Sequence, residues 1–314
     1  MEYLRAKRDE YFSNAIRPST KRSYKTAWNT YKRFSKQVRI PTLPLSDIKL
    51  QYFVSSIGSK VSFETIKVYL SGLRYHSLLA GHNVRIQNMD GLIFVLRGIR
   101  RVQGKSMVRR KRDPILPHHI RTLGRYLSQN QSPRDYVMIM AAITLAFFGL
   151  LRSSEYTSIG SRHYDKDITL YKEDISFNEN MSVMTIHVKG SKTDPFREGT
   201  NIVIPRINSD ICPINFMIRY LHKAPSTGPL FRYQSGKYLT RRDIHSIFSK
   251  YLNDNVNLNT HSLRIGGASL LSKAGIPEHI IQKIGRWKSD CFKRYIRLSI
   301  VHIDDAYRAV TNHL

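Results

Sequence analysis

Apolar positions recur with a helical period through the first hundred residues. After Pro18, Ser19 and Thr20, the side chains Tyr24, Trp28, Tyr31 and Phe34 fall at near-helical spacing. Lys21, Arg22, Lys25, Lys32, Arg33 and Lys36 fill much of the remainder. This pattern predicts an amphipathic helix with proline in its first turn. Pro41 and Pro44 interrupt the period, and Ser46 or Asp47 begins a second helix through Val54. Ser62 caps a third, with Ile66, Tyr69, Leu70, Leu73 and Leu78 apolar and Lys67, Arg74 and His76 polar. Met89 to Arg100 makes a fourth. Residues 1–104 therefore read as an all-helical domain. Its aromatic stripe fits a core better than a platform on which bases stack. The basic faces, with Lys21, Arg22, Lys25, Lys67 and Arg74, are the expected contacts to nucleic acid.

The period then stops. Gln103 to Pro114 has no apolar repeat and carries Arg109, Arg110, Lys111 and Arg112. Residues 105–113 read as a basic linker crossing a phosphate backbone; the same four charges also fit a nuclear-import signal. A second domain, 114–314, starts with a helix from Ile115 to Tyr126. Pro133 opens a longer one, Arg134 to Leu151, apolar on most sides and so expected to be buried. That helix delivers Arg152 at its end, with Glu155 three residues on. An unpaired guanidinium is costly to bury, so Arg152 either pairs with Glu155 or awaits an anion.

Beyond this point the period changes from helical to two. Met184, Ile186 and Val188 alternate with Val183, Thr185 and His187, and Ile202 and Ile204 share one face of a second strand, Asn201 to Pro205. Between them KGSKTDPFREG forms the tip of a β-hairpin, carrying Lys192 and, nearer the strand, Lys189. Helices follow from Pro213 to about Lys223, from Thr240 to about Leu252, and from Asp304 to the end. The fold class is mainly α with a small β-sheet.

The most informative stretch is Thr260 to Arg297, which reads as three short helices. Thr260 caps the first, which ends at Gly275. Pro277 suits the first turn of the second, which ends at Gly285. Ser289 or Asp290 caps the third, which carries Tyr295. His261 and Arg264, three apart, project from one face. Gly266 and Gly267 let another backbone or a ligand approach closely. A histidine, an arginine, the Trp287 indole and the Tyr295 phenol thus fall within one helical unit.

Charge decides what such a unit would act on. The chain has 51 Lys and Arg against 23 Asp and Glu, a formal charge of +28. Up to Arg112 there are 24 basic and 6 acidic residues, and after it 27 and 17, so the excess is +18 and then +10. This field favours a polyanion. Cys212 and Cys291 are the only cysteines, which excludes a disulfide framework or a cysteine-rich zinc site. No secretory leader or long apolar run is expected to take the chain into a membrane or out of the cell.

His261-x-x-Arg264, Gly285-Arg286-Trp287 and Tyr295-Ile296-Arg297 together resemble the C-terminal signature of the tyrosine recombinases, the phage-integrase family. The wording GRW-KSD-x-FKRYIR is most similar to recombinases of eukaryotic mobile elements, the Crypton and DIRS types. Trp287 stands eight residues before Tyr295, one fewer than in many bacterial and phage members. That shifts the tyrosine by about 100° of helical phase.

The resemblance implies a helical core-binding domain followed by an α+β catalytic domain. It also implies a catalytic set of Arg152, Lys192, His261, Arg264, Trp287 and Tyr295, supported by Glu155. Two guanidiniums would meet the charge of a phosphorane. Tyr295 would be the nucleophile and Lys192 the general acid for the leaving 5′-oxygen, with Lys189 its nearest rival. The product would be a 3′-phosphotyrosine link, made with no metal, cofactor or ATP and reversible by a second 5′-hydroxyl. The partners would be double-stranded DNA and further copies of the chain, four on two DNA sites. In the family the terminal helix commonly docks on a neighbouring copy. The compartment would be the nucleus in a eukaryote and the cytoplasm otherwise. A type IB topoisomerase and a domesticated, inactive DNA-binding protein are the competing readings.

Overall fold

The computed structural model describes residues 1–104, 112–190, 198–252 and 256–295, and the chain divides into two units, Met1–Arg110 and Lys111–Leu314. The first unit is helical throughout, as its periodicity predicts. Its helices are α1 (Glu2–Asn14), α2 (Pro18–Gln37), α3 (Asp47–Ile57), α4 (Phe63–Leu79) and α5 (Asp90–Gln103). The Ser46 and Ser62 hydroxyls accept from the Lys49 and Thr65 amides, so both expected caps are made. Asp47 accepts from the Gly91 and Leu92 amides and so places a negative charge at the start of α5. Tyr31 and Phe34 lie in the core with Leu50, Phe53, Ile66 and Leu73. Tyr31 meets Phe53 edge-on at 5.1 Å. The aromatic stripe is therefore core at those two positions. Trp28 stacks on His76 at the border of the core. Helix α1 buries no residue, which is why no apolar period marks it.

The second unit is organised around α7. Its elements are α6 (Pro117–Asn130), α7 (Pro133–Phe148), α8 (Ser153–Tyr156), β1 (Ile175–Phe177), β2 (Val183–Val188), β3 (Thr200–Pro205), α9 (Pro213–Leu221), α10 (Arg241–Tyr251), α11 (Thr260–Lys273) and α12 (Glu278–Ile284). Every residue from Met138 to Phe147 is buried, as an apolar surface on most sides requires. The strands form one antiparallel sheet in the order β1-β2-β3, with Met184 opposite Ile204 and Ile186 opposite Ile202. Those four side chains are buried, so the period-two reading holds for β2 and β3. The three residues of β1 are too few to show a period.

Several boundaries differ from the sequence reading. Helix α7 ends at Phe148 rather than Leu151, because Gly149 leads into Leu150 at φ +46° and the chain turns away. The cap of α11 is Asn259 rather than Thr260; its side chain accepts from the His261 amide at 2.9 Å. Pro277 stands just before α12 rather than in its first turn, where its missing N–H costs nothing. The third expected helix is a single 3-10 turn, Asp290–Arg294, and Tyr295 follows it. The hairpin tip with Lys192, linker residues Arg109, Arg110 and Lys111, and the expected terminal helix lie outside the described residues. Among the described residues no helix is long and apolar enough to cross a membrane.

Candidate active site

Close backbone packing sets the site. A side chain on Gly266 would strike the Ile115 carbonyl, and one on Gly267 would strike the Phe147 carbonyl. The paired glycines therefore admit backbone, and α11 lies directly against the end of α7. Arg264 enters the space left beside this contact. Its side chain is 1% exposed. It donates to the Leu150 carbonyl, which the left-handed turn after α7 aims at it, and to the Gly285 carbonyl. Burial lowers the pKa of its guanidinium; the charges of Arg152 and Arg286 lower it further, and Glu155 acts the other way.

Glu155 is the negative centre of this cluster and is fully buried. Its carboxylate accepts from the Arg152 amide at 2.8 Å and from Arg152 Nη1 at 3.2 Å. Arg286 Nη1 and Nη2 donate to it at 3.1 and 2.9 Å. Both alternatives posed for Arg152 thus have a share of the answer. Glu155 pairs with it, but Arg286 pairs with the same carboxylate and Arg264 adds a third guanidinium nearby, so the cluster keeps a positive excess.

The Gly285-Arg286-Trp287 tripeptide closes the other side. A Cβ on Gly285 would collide with the Trp287 ring, so glycine lets the indole fold back over its own chain. Trp287 is buried, with the Arg264 guanidinium over its ring at 4.2 Å. The Tyr295 ring lies 4.9 Å from Trp287 and 5.0 Å from His261. Ser269 on α11 donates to the Tyr295 carbonyl at 3.1 Å and holds its backbone. A 3-10 turn winds more tightly than an α-helix. That winding over Asp290–Arg294 brings Tyr295 beside Trp287 despite the short spacing between them. His261 has its pKa pushed down to about 4 by burial, then by the charges of Arg112, Arg264 and Arg152. Its imidazole is neutral at neutral pH and able to accept a proton.

No protein-family profile matches the sequence, and no curated protein matches it as a relative. Solved structures do match. The Tn1549 transposon integrase in complex with transposon right-end DNA superposes with a TM-score of 0.59 at 17% identity, covering 98% of this chain and 98% of that one. The XerH site-specific recombinase bound to its difH substrate, a pre-cleavage complex, gives 0.56 at 17% identity, covering 91% and 78%. A lambda integrase dimer bound to a COC′ core site gives 0.59 at 14%, covering 92% and 75%. The fold is that of the tyrosine recombinases. It agrees with the expected mainly helical architecture and small antiparallel sheet.

Within this recombinase fold, five of the six expected catalytic positions are described, and Arg152, His261, Arg264, Trp287 and Tyr295 come together. Lys192 lies outside the described residues. Lys189 is already engaged: its Nζ is 3.0 Å from Asp174 and lies over the Tyr171 ring. Arg286 was not singled out by the sequence reading. The signal available for it was the arginine inside the Gly-Arg-Trp motif. Of the expected DNA contacts, Arg22, Lys25, Lys67 and Arg74 are exposed on α2 and α4, and Lys21 is half-buried. Lys67 pairs with Glu64 at 3.1 Å, and Lys21 donates to Ser13. Arg112 falls in the second unit, and its charge acts on His261.

Proposed function

We propose that this protein is a site-specific DNA recombinase of a mobile element. It would cleave and rejoin DNA through a 3′-phosphotyrosine link without metal or ATP. The observation that carries the reading is the cluster of three arginines, Arg152 and Arg286 on the buried Glu155 carboxylate and Arg264 beside them, bordered by the His261 and Tyr295 rings. A positive excess held in a low-dielectric setting is matched to an anion that gains charge, such as a phosphodiester passing to a phosphorane.

In this reading Tyr295 Oη attacks phosphorus while the bond from phosphorus to the 5′-oxygen breaks. The phenolic proton passes to neutral His261, and Lys192 supplies the proton that the departing 5′-oxygen takes up. The engagement of Lys189 with Asp174 supports assigning that role to Lys192. Arg152 and Arg264 bind the non-bridging oxygens, and the Trp287 ring walls the site beside them. The exposed basic residues of α2 and α4, with the Arg109–Arg112 run, contact the duplex; in a eukaryotic cell the same run serves nuclear import. Four copies on two sites provide the four cleavages that exchange of two duplexes requires.

The test uses a suicide substrate nicked near the cleavage point. The wild-type chain becomes covalently attached to DNA, and Tyr295→Phe does not, while binding the same duplex with closely similar affinity. An adduct formed by Tyr295→Phe would refute the assignment.

A further inference from the structure

Arg286 is none of the six positions that the family resemblance picks out, yet it grips Glu155 more fully than Arg152 does. Its two terminal nitrogens reach both carboxylate oxygens, at 3.1 and 2.9 Å, in a fork-on-fork arrangement. Arg152 reaches the same carboxylate through one guanidinium nitrogen, at 3.2 Å. The Arg286 side chain is also the more enclosed, 8% exposed against 21% for Arg152. Its backbone sits at φ +56°, where glycine would be unstrained and a side chain is not. An arginine kept at such a position points to a task for its side chain.

The chemistry of a buried carboxylate defines that task. Glu155 has no solvent to stabilise its charge, so it holds whatever cation is within reach. With Arg286 absent, Arg152 is the remaining cationic side chain bonded to it among the described residues. Arg152 would then close fully onto Glu155, its charge cancelled and its donors turned away from any substrate.

We propose that Arg286 is the standing counter-ion of Glu155 and that, by holding this carboxylate, it frees the Arg152 guanidinium to turn onto the scissile phosphate. Arg286 is a positioning residue: it acts through Glu155 on Arg152 and does not itself touch DNA. The proposal rests on the recombinase reading above.

The experiment measures the rate of covalent attachment to a nicked suicide substrate alongside duplex affinity and thermal melting. Arg286→Met slows attachment by about 10²-fold, the order expected when one charge-stabilising donor is misplaced. Its affinity for a single duplex stays within about threefold. The discriminating variant is the double change Arg286→Met with Glu155→Gln. Neutralising Glu155 releases Arg152, so attachment recovers at least about tenfold over Arg286→Met alone, a coupling of the size seen between contacting groups. A purely structural role for Arg286 predicts the reverse, since the double change removes more of the same network. Should Arg286→Met fail to fold, the neutral Arg286→Gln compared with Arg286→Gln plus Glu155→Gln reads the same recovery. Attachment at the wild-type rate by Arg286→Met, or a double variant no faster than the single one, overturns the proposal and leaves the recombinase reading intact. Absence of any Tyr295 adduct in the wild-type chain overturns both.

Discussion

His261 shows how a single side chain ties the stability of the second unit to its chemistry. Burial and three arginines push its pKa from 6.5 to about 4. The folded chain therefore holds fewer protons than the unfolded one once the pH drops below about 6.5. Stability from this group is complete above that value and is lost as the pH falls through the window down to about 4. The melting temperature of the wild-type chain should thus drop more steeply between pH 6.5 and 4 than that of His261→Gln. Parallel melting curves for the two proteins across this window would show that the histidine is not buried in its neutral form.

Among the elements, α11 depends most on what its residues lack. Gly266 and Gly267 lie against backbone carbonyls that cannot yield, whereas Gly98 in α5 faces open space. Gly266→Ala should therefore cost about 2–3 kcal/mol through overpacking. Gly98→Ala should be neutral or stabilising by up to about 1 kcal/mol. Chemical denaturation of the two variants checks the pair, and equal effects would mean that α11 does not pack as described. Both glycines were conspicuous in the sequence, but whether backbone or ligand filled their space was not. Strands β2 and β3 were legible because one-sided burial imposes a period of two, and helix α7 because burial on most sides leaves one long apolar run. Three-residue β1 and α1, which buries no residue, carry no such mark. The spatial set of Arg152, His261, Arg264, Trp287 and Tyr295 was legible as a motif. The hold of Arg286 on Glu155 was not, because it spans 131 positions of sequence and depends on a left-handed backbone angle. Asn259 displaced Thr260 as the cap since both residue types serve, and only geometry separates neighbours.

For the whole molecule the dominant fact is a charge of +28, with most of the excess before residue 113. A duplex bound through many lysines and arginines releases counter-ions, so affinity should fall by about 10³-fold or more between 50 and 200 mM salt if six or more phosphates are engaged. Fluorescence anisotropy across this range is the measurement, and a nearly flat response would remove the electrostatic basis for DNA binding. The same excess reaches inside the fold, where the Arg152 and Arg286 guanidiniums share the Glu155 carboxylate and Arg264 adds a third charge nearby. Those arginines repel one another in a setting that solvent screens only in part. Selection of this chain for heat tolerance alone would find gains there by exchanging Glu155 together with its arginines for neutral, well-packed side chains, since removing one partner alone strands a buried charge. Under the proposed function each gain would slow DNA cleavage, so robustness and turnover would pull against each other at Glu155.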